Sequence, residues 1–230
     1  MLIAAAVCPH PPVLFPEVAR GAAVELDALR EACDRAVATL GRCDADRLYV
    51  VGPGPVERAH GPDTGGDLRA YGVDVRVGPG PGPGALDLAA TTGRWLAERS
   101  GLAPDGYLEL PVDTTAPRAA ARGAALADTA DRVALLVMGD GSARRTERSP
   151  GYVDARAIPH DDAVAEALAK ADTAHLAGLD PDLARALMVA GRPAWQALAG
   201  AAGEAPFLGD LLAHEAPYGV GYFVAAWSRV

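Results

Sequence analysis

Several large function classes depend on residues that this chain has little of. Its three cysteines, Cys8, Cys33 and Cys43, are odd in number and show no CxxC spacing. That counts against a disulfide framework and against a structural zinc site. Lys170 is the single lysine, and the formal net charge is −9. A nucleic-acid binder needs a basic footprint, and an anionic membrane surface attracts basic segments, so neither partner is expected. Aromatic residues make up only 5%, which leaves Ala, Val and Leu to build the core. No apolar run is long enough to span a bilayer. The first apolar run is too short for a signal peptide and lacks a basic flank, so the expected location is cytoplasmic.

Nucleotide and hydrolase motifs are missing as well. There is no Gly-Lys pair, hence no P-loop. Gly52-Pro53-Gly54-Pro55 and Gly139-Asp140-Gly141-Ser142 each follow a predicted strand, but neither opens into a helix as a GxGxxG turn does. Pro53 and Pro55 also remove amide donors that a phosphate cradle would use. Ser142 lies near the pattern of a nucleophile elbow, yet GxSxG is absent. It reads as a turn former.

What is present is a chain of 230 residues, half of them hydrophobic, ample for one domain over 1–230. Apolar runs predict strands at 2–7, 47–51, 73–77, 107–112 and 132–138. Three- and four-residue apolar steps predict helices at 27–40, 85–99, 119–128, 161–170, 181–190 and 194–201. We also expect a helix over 207–214 and a closing strand over 219–228, inside the sheet or beside the first strand. Residues 56–69 read as a loop. The Gly-Pro run 78–84 reads as a low-complexity segment inside one domain, with an interface role as a third possibility. Strands alternating with helices give an α/β fold, three layers with a mixed central sheet.

The first strand stops at Cys8-Pro9-His10-Pro11-Pro12. Proline lacks a ladder donor and fixes φ. His10 is therefore mounted stiffly at a strand's C-terminal edge, where open α/β sheets bind ligands. Of the other histidines, His175 reads as solvated and His160 as needing no role of its own beside Asp161 and Asp162. Two histidines and one carboxylate form the set that non-haem Fe(II) enzymes use. His10, His60 and Glu215 are the candidates for it, with His214 as a neighbouring alternative.

In this order and spacing the motifs resemble the class III extradiol ring-cleavage dioxygenase superfamily, the LigB-like fold with its Memo-like branch. Pro9-His10-Pro11-Pro12 is similar to the segment carrying the family's first metal histidine. Leu48 to Pro53 resembles the strand leading to the second. Leu135 to Ser142 resembles the strand and turn before the catalytic histidine. His214 to Tyr222 is similar to the closing segment, where a glutamate is often the third ligand. The resemblance implies Fe(II) or another divalent metal, a catechol-like substrate and a homodimer.

Carried over residue by residue, it leaves gaps. His10 and Glu215 match ligand positions. Gly54-Pro55 stands where the second histidine belongs, and His60 lies a few residues later. Ala143-Arg144 stands where the acid/base histidine belongs, and arginine cannot cycle a proton. Two expectations follow. Either the ancestral cleft, with His10, Gly54, Asp140, Ser142 and Arg144, binds a small molecule or a protein partner without ring cleavage, or His10, His60 and Glu215 hold a metal in an active dioxygenase. Arg144, Arg145 and Arg148 in that cleft suit a carboxylate or another anion.

Overall fold

The computed structural model describes residues 1–79 and 85–230. Chain order is β1 (Leu2–Cys8), α1 (Pro16–Ala19), α2 (Asp27–Gly41), β2 (Arg47–Pro53), β3 (Arg58–His60), β4 (Gly66–Asp67), β5 (Arg76–Val77), α3 (Leu88–Arg99), β6 (Gly106–Leu110), α4 (Ala116–Ala127), β7 (Val133–Met138), α5 (Ala157–Lys170), α6 (Thr173–Ala177), α7 (Pro181–Ala186), α8 (Arg192–Ala202), β8 (Phe207–Glu215) and β9 (Tyr222–Arg229). Most of the expected Gly-Pro segment, residues 80–84, lies outside the described residues.

The central sheet has seven strands in the order β3-β6-β2-β7-β1-β9-β8. β6, β2, β7 and β1 run parallel, and β3, β9 and β8 add antiparallel pairings at the two sides. Side chains alternate between the faces with period two. Ala4, Ala6 and Cys8 of β1 pack toward α2 and α3, while Ala5 and Val7 pack with α4, α5 and α8. The result is the three-layer α/β/α fold with a mixed sheet. The chain leaves β2 through α3 on one face and leaves β6 through α4 on the other. The direction of winding thus reverses around β2 and β7, where such folds form a crevice at the strand ends. Among the described residues no helix is long and apolar enough to cross a membrane.

Three expectations need correction. Residues 207–214 form strand β8 and not a helix. Phe207, Leu208, Leu211 and Leu212 mimic helical spacing, but pairing with β9 decides the conformation. An irregularity between Leu211 and Ala213 breaks the strict alternation that would have marked a strand. The 56–69 loop contains β3 and β4, and β4 pairs with β5 in a separate two-stranded sheet. The predicted strand over 73–77 shrinks to Arg76–Val77. The closing strand lies beside β1, antiparallel to it.

Candidate functional site at the strand ends

His10 sits where the prolines set it, just past β1, and is 7% exposed. Its backbone N–H donates to Asp140 Oδ1 at 2.8 Å. Its ring Nδ1 lies 3.4 Å from the same oxygen without hydrogen-bond alignment and has no other partner among the described residues. Burial pushes the Asp140 carboxyl up, and His10 opposes that shift. Asp140 also bridges to Tyr222 of β9, and Tyr222 pairs in register with Glu215. Burial raises the Tyr222 phenol, with Asp140 adding to it, and burial raises Glu215. Glu215 thus stands beyond Tyr222 and not beside His10. Its neighbour His214 pairs with Phe223, on the α5 face of the sheet.

His60 is elsewhere. It lies on β3, four strand positions from β1, about 19 Å at about 4.8 Å per strand. Its Nε2 is 3.0 Å from Glu109 Oε2, with both side chains buried. Glu109 Oε1 accepts the Asp87 N–H at 2.8 Å. Burial raises the Glu109 carboxyl, and the bonds from Asp87 and His60 oppose that. The same carboxylate explains Gly54. A Cβ built on Gly54 would come within 2.8 Å of Glu109 Cβ. No metal-binding side chain fits at 54 while Glu109 keeps its place.

The donor set therefore does not fit the implied metal. Among the described residues no three of His, Cys, Asp and Glu converge as a metal site. A 2-His-1-carboxylate centre needs all three on one ion, each about 2 Å from it.

The turn after β7 builds a different cluster. Asp161, in the first turns of α5, is fully buried. Its Oδ1 accepts the Ser142 N–H at 2.9 Å, and its Oδ2 accepts Arg145 Nη1 at 2.8 Å. A Cβ on Gly221 would lie 2.1 Å from Asp161 Oδ2, so glycine there makes room for the carboxylate. Arg145 Nη1 is also 3.3 Å from His214 Nε2. A guanidinium only donates, so His214 accepts at Nε2 and is neutral. Burial, with Arg145, keeps its pKa below the ordinary value. His160 Nδ1 is 3.4 Å from Asp161 Oδ1. Ser142 Oγ donates to Leu187 O at 2.8 Å and accepts the Arg144 N–H. Ser142 is thus a buried structural hydroxyl.

Arg144 faces the other way. It lines a cavity of about 680 Å³ together with Glu147, Pro150, Tyr152, Val153 and Met188. Its Nε is buried and unpartnered among the described residues. The loop is tied at its base by Gly151 N–H to Ala143 O and Asp154 N–H to Arg144 O, both 3.0 Å. Another cavity, of about 480 Å³, lies at the opposite end of the strands beside Arg42, Arg132 and Arg229, away from the edge where such sheets bind ligands.

Of the expected site, then, His10 and Asp140 meet. Gly54, Ser142 and Arg144 serve separate local arrangements, and His60, His214 and Glu215 stand apart from His10. Sequence reasoning missed Glu109 and Asp161. The signal for Glu109 was a lone acid inside the apolar run Tyr107-Leu108-Glu109-Leu110, since buried acids are almost always paired.

No family pattern and no curated protein matches this sequence. By structure the chain is similar to the uncharacterized protein JW3007 from Escherichia coli K12. That likeness covers 98% of this chain and 99% of the other, with a TM-score of 0.58 and 14% identity. At that identity it shows a shared fold.

Proposed function

We propose that the chain is a divergent LigB-like protein that binds a small ligand at its strand ends without a metal and without ring cleavage. One observation carries the reading. The Glu109 stem fills the space beside Gly54 while its carboxylate engages His60, so Gly54 has no room for a ligand side chain and the nearby histidine is committed to Glu109. Arg144 in place of a proton-cycling histidine supports it, because loss of general acid/base help lowers rates about 10²–10⁴-fold. The cavity beside Arg144 lies within the usual small-ligand range of about 300–1,000 Å³.

Anaerobic titration with Fe(II) and with Zn(II), followed by calorimetry, tests the reading. We expect no stoichiometric binding that depends on His10. One-to-one binding abolished by His10→Ala, with cleavage of a catechol by the Fe(II)-loaded protein, would establish the dioxygenase using His10, His60 and Glu215 instead.

A further inference from the structure

The cleft beside Arg144 carries more chemical information than its volume. Its polar end is the half-buried Arg144, whose Nε is sealed from solvent, so the terminal amino groups of the guanidinium are what the cleft can offer. A carboxylate or phosphate oxygen is their natural complement. Its mixed lining carries three exposed large apolar side chains, with Tyr152 91%, Val153 53% and Met188 45% exposed. Met188 is held at φ 56°, an uncommon conformation for a residue with a side chain. Gly151 allows the contact beneath it, since a Cβ there would lie 2.8 Å from both Arg144 Cγ and Met188 Sδ. Met188 also lines a second cavity, of about 290 Å³, with Val112, Ala184, Arg185 and Val189. Val112 is also 56% exposed. Four large exposed apolar residues thus flank two cavities that share one side chain, an arrangement beyond single scattered surface hydrophobics.

Charge restricts the head group. Arg144 brings one positive charge and Glu147, on the same lining, one negative charge. The nearby Asp154 is taken by Arg156 at 2.7 Å. The lining is therefore formally neutral, so a dianionic phosphate gains no net attraction to offset its larger desolvation cost, and a monoanion is the head group it favours.

We propose that this cleft binds a monocarboxylate with an extended apolar chain. The carboxylate bonds to Arg144, and the hydrocarbon runs past Tyr152 and Val153, over Met188 and into the cavity at Val112. This assignment rests on the metal-free reading of the strand ends and names the ligand class for it.

Calorimetric titration of the full chain with decanoate tests it, with acetate, decanol and inorganic phosphate as further probes. Decanoate is expected to bind one-to-one, more tightly than acetate, decanol or phosphate. Arg144→Gln should weaken decanoate about tenfold or more, the worth of one charged hydrogen bond, and leave decanol unchanged. Val112→Asn should weaken decanoate and leave the thermal midpoint in place. Three results would overturn the proposal: decanoate no tighter than acetate, equal binding by the Arg144→Gln protein, or phosphate preferred. A positive metal titration would instead remove the reading beneath it, so the two failures are distinguishable.

Discussion

The β2–β6 side of the strand-end edge and the loop after β7 handle polar groups in opposite ways. On the first side Glu109 answers both His60 and the Asp87 N–H, and Gly54 gives it room. On the second, the chain divides at adjacent arginines. Arg145 turns inward to Asp161, while Arg144 turns outward and lines the cavity. A closed buried network rigidifies and specifies a fold. A guanidinium on a cavity lining has something left to offer a ligand. The contrast separates what the strand ends spend on structure from what they leave for binding.

The sharpest way to break the contrast is at Asp161. Asp161→Asn keeps an acceptor for the Ser142 N–H but strands the Arg145 guanidinium, whose side chain is 13% exposed. Removing one partner of a buried pair costs about 3–5 kcal/mol. Because Arg145 is not wholly buried, we expect about 3 kcal/mol, read as a shift of the urea midpoint at constant slope. A loss under about 1 kcal/mol would mean that the inward face of the loop is no more structural than the outward one.

Gly54→Ala tests the other side and ranks next. The new methyl meets Glu109 Cβ, a side chain tied at both carboxylate oxygens, so it cannot easily yield. Overpacking of this kind costs about 1–3 kcal/mol. Glu109→Gly in the same chain, which removes that Cβ, should recover part of the steric cost. A double-mutant cycle with no coupling between positions 54 and 109 would contradict the account of why glycine stands there.

These tests bear on how far the sequence alone could be read. The parallel strands were legible because they are largely buried and read as apolar runs, most completely in Val133–Met138. Edge strands were not. β8 is half-buried with an irregularity in register, and β3 spans three residues, so neither carries a periodic signature. His10 was legible because proline constrains its own position locally. The fate of His60 was not, because it depends on Glu109, 49 residues away. Arg145 and Arg144 are indistinguishable as neighbours in a basic stretch, and only the placement of α5 tells them apart.

A smaller, pH-dependent effect follows from the Glu109 shift. An unfolded glutamate ionises near pH 4.3, and burial raises the folded group above that. The native state then holds the proton where the unfolded state has lost it, so this group's contribution is full below about pH 4.3 and declines as pH rises through the folded pKa. Glu109→Gln can keep the acceptor for Asp87 and offer a donor to His60, without ionising. Its stability relative to the unsubstituted chain should improve steadily from acid toward neutral pH, read by urea melts at several pH values. A flat difference would place Glu109 with ordinary exposed acids, and one that runs the other way would mean that the bonds from Asp87 and His60 outweigh burial.

The smallest expected change in stability belongs to Arg144, and its smallness is what makes it informative. Surface substitutions away from networks usually change stability by less than about 0.5 kcal/mol. Arg144 contributes backbone bonds to Ser142 Oγ and from the Asp154 N–H, and these survive a change of side chain. Arg144→Gln should therefore leave the urea midpoint nearly fixed, while Arg145→Gln, which strips Asp161 of its cation, should lower it by several times as much. Equal losses at the two positions would make Arg144 a structural residue like its neighbour. Unequal losses, with ligand binding changed only at 144, would assign the inward arginine to the fold and the outward one to recognition.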